Sequence, residues 1–265
     1  MQVSVFPPGP RLAPFVRRFT VVETRAEATR LLLPEHGLVL GIRYCGSASL
    51  VNGPAVTRLA DASLTGIVAA GRCMRTAAGS GVVLAAFREA GAARFFVEPL
   101  HELFGRTLAL EDLVPRVVLD RVQQQVASAP SHARRIAIVE QFLWARLRPR
   151  GPDAVTVAAV SAIRRAQGTI RIAQLARQLG ISQDPLEKRF RRQIGTSPKH
   201  LASMVRLRRV IDGAIGGAVE RQRAGVSWSR LAIEAGYFDQ SHFIREFRAV
   251  TGAAPAAFFR AGDYC

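Results

Sequence analysis

Lys188 and Arg245 lie fifty-seven positions apart, each within a run that mixes charged and polar side chains with apolar ones at helical spacing. In the first run Glu187, Lys188, Arg191 and Arg192 interleave with Leu186 and Phe190; in the second Gln240, Ser241, His242, Arg245 and Arg248 interleave with Phe243 and Phe247. Cations on one face of an amphipathic helix neutralise phosphates, while Arg and Lys can fork onto guanine, Gln onto adenine and Glu onto cytosine N4. The chemistry on offer is recognition of a DNA duplex. His242 reads as a phosphate contact or a structural group, not as a general acid or base.

Both runs are preceded by the same local plan. Leu175-Ala176 to Gly180 and Leu231-Ala232 to Gly236 each end a helical pattern before a short polar turn. Upstream of the turn, Ile172, Leu175, Ala176 and Leu179 align with Trp228, Leu231, Ala232 and Ala235 at i, i+3, i+4, i+7. Downstream, Gly195 aligns with Gly252 and Pro198 with Pro255, a helix stop followed by a helix start. Two helix-turn-helix units are therefore expected. Asp239 is placed to cap the second recognition helix. In the first unit, Pro185 suggests a cap at Asp184 and a shortened tip.

Between the units, Ser197 as N-cap and Pro198 at the first helical position open a pattern running through Leu201, Val205 and Ile211 to Gly216-Gly217. A helix of that length is a strut of roughly 28 Å, close to the ~34 Å between major-groove openings on one DNA face. Lys199 and Arg206 on it are further candidate phosphate contacts. The polar stretch Val219 to Ala232, with Ser227 as a cap before Trp228, would give the second head freedom from the first.

From about Val155 to Phe259 the chain resembles the DNA-binding domain of AraC-type (AraC/XylS) transcriptional regulators, and GYFDQSHFIREFRAVTGAAPAAF, Gly236 to Phe258, is similar to that family's second-motif signature. The resemblance implies a double-stranded DNA partner, RNA polymerase as a further partner, a homodimer, and an N-terminal domain that is often a cupin-like barrel sensing a small effector. It also places Glu187, Lys188 and Arg191 on the face that reads DNA in relatives, and gives the second motif chiefly backbone contacts. LLLPEHGLVLGIRYCG, Leu31 to Gly46, and GVVLAAFREAGAARFFVEP, Gly81 to Pro99, carry the more distant resemblance to the cupin-like domain.

Composition agrees with a polyanionic partner. The formal net charge is +17, and Asp153 to Arg209 alone holds twelve basic residues against three acids. Length fits one large or two ordinary domains, no apolar run reaches a membrane span, and the first residues lack the order of a secretion signal, so the cytoplasm is the expected location. Cys45, Cys73 and Cys265 have no CxxC partner and are expected to be buried small hydrophobes.

The fold expected is α+β in two domains: an N-terminal antiparallel β barrel with helices, and an all-α domain of two helix-turn-helix units joined by a long helix. Residues 1–108 form the β-rich effector or dimerisation domain, 109–150 a helical segment and linker, and 153–265 the DNA-binding domain. Candidate strands are Arg18 to Val22, Leu38 to Tyr44, Ala48 to Val51, Leu64 to Ala69, Val82 to Phe87 and Arg94 to Val97, with an Asn52-Gly53 turn. Helices are expected over Val155 to Gln167, and over Leu110 to Val126 and His132 to Leu147, where a stripe of Ile136, Val139, Leu143 and Leu147 reads as intradomain core before a dimer surface. His36, Arg43, Tyr44 and Arg88 are candidate effector contacts.

A metal-dependent cupin enzyme needs converging His and carboxylate side chains, and the β region offers His36 without a His-x-His pair. No cofactor, metal or catalytic residue is expected. The leading function is a sequence-specific transcription regulator controlled by a small molecule. The alternatives are a regulator switched by a protein partner and a cupin-like enzyme with a DNA-binding tail.

Overall fold

The structure is a computed structural model that describes residues 1–216 and 228–261. Gly217, the cap at Ser227 and Cys265 lie outside the described residues. The chain opens with β1 (Gln2–Phe6), β2 (Val16–Thr24), β3 (Ala28–Leu32), β4 (Val39–Cys45), β5 (Ala48–Asn52), β6 (Ala55–Arg58), β7 (Ala62–Thr65), β8 (Arg72–Thr76), β9 (Ser80–Phe87) and β10 (Thr107–Ala109). They form two antiparallel sheets, ordered β1-β2-β9-β4-β7-β10 and β3-β8-β5-β6. No helix among the described residues is long and apolar enough to cross a membrane.

β9 lies at the centre of the larger sheet, and only one of its eight residues escapes full burial. Burial on both faces explains why it reads as a continuous apolar run rather than an alternation. One face meets the space between the sheets. The other is covered by α2 (His132–Trp144), which packs on β9, while α1 (Arg116–Ser128) packs on β4. Ile136, Val139, Phe142 and Leu143 of α2 are buried in that contact, so its apolar stripe is intradomain core.

The β half and its helices depart from the expected elements at several points. Arg94 to Val97 is not a strand but follows a 3-10 turn at Ala92–Arg94, with Phe95 and Phe96 buried against Phe87. The helix expected from Leu110 begins only at Arg116, because Pro115 separates it from a short turn at Leu110–Asp112. The β5–β6 hairpin turns on Gly53-Pro54, one residue later than Asn52-Gly53, with Gly53 at φ +59°. Cys45 and Cys73 are exposed, not buried. Five strands (β1, β3, β6, β8 and β10) were not expected from sequence.

The helical half comprises α3 (Ala154–Arg165), α4 (Ile172–Gln178), α5 (Gln183–Ile194), α6 (Pro198–Gly216), α7 (Trp228–Glu234), α8 (Gln240–Thr251) and α9 (Pro255–Ala261). Capping is local and visible in the sequence. Asp153 accepts the Thr156 N–H at 2.9 Å, Ser197 accepts the His200 N–H at 3.1 Å, and Asp239 accepts the His242 N–H at 2.6 Å.

α6 belongs to two cores at once. Leu201, Ala202 and Met204 join the cluster that runs from the sheets through α3, α4 and α5. Leu207, Val210 and Ile211 join the cluster of α7, α8 and α9, to which Leu31 and Leu33 also pack. The helical half thus rests on the β half at several points. Glu89, nearly fully buried, accepts from Arg164 Nε at 2.8 Å, His36 Nε2 lies 3.3 Å from the Met204 carbonyl, and the Gly71 N–H donates to the Val250 carbonyl at 2.6 Å.

Burial lowers the His36 pKa; nearby Glu89 raises it, while Arg17 and Arg164 lower it further. Burial also lowers that of His200. Because the unfolded imidazole protonates first, near 6.5, stability stays level above that pH and falls as the pH drops below it. His36→Gln should flatten this slope below pH 6.5 in thermal melts. A second expectation concerns two glycines at left-handed φ, Gly195 (+93°) and Gly252 (+80°). A Cβ on Gly195 would come within 2.9 Å of the Leu100 carbonyl oxygen, whereas on Gly252 it meets nothing within 4 Å. Gly252→Ala should cost about 1 kcal/mol of backbone strain and Gly195→Ala clearly more, lowering the melting temperature by several degrees.

Candidate nucleic-acid interface

The two units correspond element by element in the sequence register. α4 and α7 begin and end 56 positions apart, and α5 and α8 begin and end 57 positions apart. Each turn is closed in the same way. Gly180 at φ +67° and Gly236 at φ +82° reverse the chain, and the next residue, Ile181 or Tyr237, donates its N–H back to Ala176 or Ala232 at 3.1 and 2.9 Å. Leu186, Phe190 and Ile194 of α5 are fully buried, as are Phe243 and Phe247 of α8. The opposite faces of both helices are left to solvent.

α5 begins at Gln183, flanked by Ser182, so the shortened tip expected from Pro185 is corrected. Pro185 is the third helical residue, where the backbone N–H has no intrahelical partner to lose. Lys188, Arg191 and Arg192 are exposed and Glu187 is half-buried. The acids do not pair with their immediate neighbours but one turn along: Lys188 Nζ lies 2.8 Å from Asp184 and Arg191 Nη2 lies 3.9 Å from Glu187. The Asp184 carboxylate raises the Lys188 pKa. Exposed pairs of this kind are weak and exchange readily for a phosphate. Behind them, Gln193 donates to Asp153 at 2.7 Å and Arg189 lies 3.7 Å from the same carboxylate, fixing α5 to the start of α3.

On α8, Gln240, Ser241, Arg245 and Arg248 are exposed and unencumbered by any ion pair among the described residues. His242 is half-buried, edge-on to the Tyr237 ring and 3.8 Å from Glu246. Lys199 is exposed at the start of α6. Arg206 is different, and its assignment as a phosphate contact is corrected. It lies 3.0 Å from Glu246, with its guanidinium over the Tyr237 ring at 4.4 Å and its side chain only 15% exposed. Arg206 therefore ties α8 to the strut, and the second head is packed on α6 in this structure. Burial and the Glu246 charge raise the Tyr237 pKa, keeping its hydroxyl protonated to donate to Glu246 at 3.0 Å.

One residue escaped the sequence reading. Phe238, in the turn before α8, is 92% exposed. Its signal was present, an aromatic directly before a capping residue.

In the β half, a cavity of about 340 Å³ lies between the sheets, lined by inward positions of β2, β9, β4 and β7 on one side and β3, β8 and β5 on the other. Arg43 lines it. Tyr44, the next residue on the strand, points to the opposite face, where its hydroxyl donates to Glu23 at 2.7 Å beneath Arg135. Arg88 donates to the Ala13 carbonyl at 2.7 Å, and His36 turns toward α6, so Tyr44, Arg88 and His36 are corrected as cavity contacts. Among the described residues no group of three or more His, Cys, Asp or Glu is placed to hold a metal.

Residues 175–261 match a family model described as a helix-turn-helix domain. No curated protein matches the chain. Among solved structures, ToxT from Vibrio cholerae is 13% identical, covering 91% of this chain and 97% of that one, with a TM-score of 0.46. ToxT bound to an unsaturated fatty acid, from the same organism, is 14% identical, with 91% and 94% covered and a TM-score of 0.45. A probable AraC family transcriptional regulator from Rhodopseudomonas palustris is 24% identical, covering 41% of this chain and 97% of that one, with a TM-score of 0.35.

Separate roles for the arginines make a direct comparison. Arg245→Ala should leave the melting temperature unchanged while weakening duplex binding and lowering the slope of log affinity against log salt by about 1. Arg206→Ala should lower the melting temperature by taking the cationic partner from the half-buried Glu246. Thermal melts and a salt titration of duplex binding on both variants distinguish them.

Proposed function

We infer that this chain, whose C-terminal region is an AraC-type helix-turn-helix domain, is a sequence-specific DNA-binding transcription regulator governed by a small molecule in its β domain. The observation that carries the reading is the duplicated head: two units in matching register, each burying its aromatic face and leaving a basic, polar face exposed. Lys188, Arg191, Arg192, Lys199, Arg245 and Arg248 would neutralise phosphates. Glu187, Lys188, Gln240 and Arg245 would lie nearest base edges, with Ser241 and His242 bracing the backbone. RNA polymerase and a second copy of the chain are the further partners in this reading.

Control by a small molecule is favoured over a protein switch because the space between the sheets is not filled by the chain's own side chains. The route from cavity to heads is short. Leu33, Glu35 and Gly37 line the cavity, Leu31 and Leu33 pack against the core of the second unit, and His36 reaches the backbone of α6. An occupant that moved this loop would change how both units sit on the β domain, by as much as its affinity differs between the two arrangements.

Selection of bound sequences from a random duplex pool by the full chain tests the function. Two enriched blocks about one helical turn apart are expected. A single block would remove the second head from base or backbone contact, and no enrichment would remove the function.

A further inference from the structure

We propose that Phe238 is a specificity-determining contact of the second head, packing its ring on the C5-methyl group of a thymine in the major groove. The inference rests on the regulator reading above and adds to it an apolar contact that charge does not supply.

The registers of the two units part at one place. Two residues, Ile181 and Ser182, separate Gly180 from the start of α5, whereas three, Tyr237, Phe238 and Asp239, separate Gly236 from the start of α8. Ile181 and Tyr237 make the same backbone hydrogen bond behind the glycine, and Ser182 and Asp239 both stand at the cap. Phe238 is therefore the residue by which the second turn is longer. The first head has no counterpart to it.

An apolar residue just before a helix cap often folds back onto the fourth helical residue. In the first unit Ile181 stands there and packs on the core that holds Leu186. In the second unit that task falls to Tyr237, one position earlier, which is 4% exposed with its ring 5.3 Å from that of Phe243. Phe238 is left over. At 92% it is the most exposed large apolar side chain among the described residues.

The backbone on either side of it is fixed. Tyr237 is buried, and Asp239 caps α8 by accepting the His242 N–H at 2.6 Å, so the neighbours of Phe238 hold its ring out toward solvent. Gln240, Ser241 and Arg245 follow it on the exposed face. Where a recognition helix enters the major groove, its N-terminal residues meet the base edges. A side chain standing immediately before that end meets the same edges. There the bases present donors, acceptors and one apolar group, the thymine methyl. A phenyl ring has no charge to give a phosphate, and it gains by covering that methyl.

Salt and the methyl group separate this contact from the cationic ones. Duplexes enriched from the random pool are prepared with thymine replaced by deoxyuridine in each block in turn, which removes the methyl and keeps the pairing. The unaltered chain should lose about fourfold in affinity when one block, that under the second head, is so changed. Phe238→Ala should keep its melting temperature, bind the thymine duplex about tenfold more weakly with the same salt slope, and no longer distinguish thymine from deoxyuridine. Phe238→Leu should keep part of the difference. Equal binding of the two duplexes by the unaltered chain, or enriched sequences that share no thymine, overturns the proposal. So does full affinity in Phe238→Ala, which would turn the ring toward a protein partner instead. Arg245→Ala separates the outcomes: a salt slope lowered by about 1 with Phe238→Ala neutral removes this contact alone, while no duplex binding by the unaltered chain removes the regulator reading as well.

Discussion

Seven residues, Leu31 to Gly37, are shared between the two halves of the molecule, and the seating of the helical units on the β domain depends on them. Their apolar members face both ways: Leu32 and Leu33 line the cavity, while Leu31 and Leu33 pack against the core that holds α7, α8 and α9. The segment is not free to drift. Arg17 and Arg18 both grip Glu35, and the Arg pair, once burial is overcome, holds that carboxyl below its ordinary pKa. Gly37 has no room for a Cβ, which would come within 2.5 Å of the Phe87 carbonyl oxygen. Packed interiors shift between discrete arrangements rather than deforming smoothly, so a loop clamped at both ends transmits a change or blocks it.

The charge on the reading face is tempered in the free protein. Asp184 and Glu187 fold back onto Lys188 and Arg191, lowering the positive field where a phosphate would approach. The second head carries one acid at its exposed tip, Asp239, which is engaged in capping α8, and Glu246 is turned inward to Arg206 and Tyr237. The two heads therefore differ electrostatically despite their common fold. On the proposed function, the first head would give up affinity for discrimination, since its acids would repel phosphate unless one found a cytosine amino group.

The helical half was legible because its signals are local: a Gly at each left-handed turn, a Pro after each stop, a capping Asp or Ser, and aromatics four apart. The one misplaced start, at Pro185, arose because proline at the third helical position costs nothing and so does not mark a boundary. In the β half three of the unexpected strands have a visible cause. β3 and β8 point Arg30 and Arg72 inward where apolar residues are expected, and β6 is exposed throughout, so none alternates cleanly. Arg43 was singled out, yet with Tyr44 beside it, although neighbouring strand residues must face opposite ways. The inward arginines of β3 and β8 face the cavity, and local rules are most often broken where a fold carries function.

The spacing of the two heads follows from one helix. α6 gives its first half to the core of the first unit and its second half to the core of the second, so the distance between them is a property of the helical backbone, not of a linker. Nineteen residues make a strut of roughly 28 Å. Successive major-groove openings on one face are about 34 Å apart. Stretching the strut would break backbone hydrogen bonds inside two cores, whereas bending a site of this length by tens of degrees costs only a few kcal/mol. On the proposed function the duplex would be the softer partner and the one to yield, curving toward the protein if both heads engage. Sequences that bend easily between the two contacted blocks would then bind better than stiff ones, and the helix would select for base pairs that neither head touches.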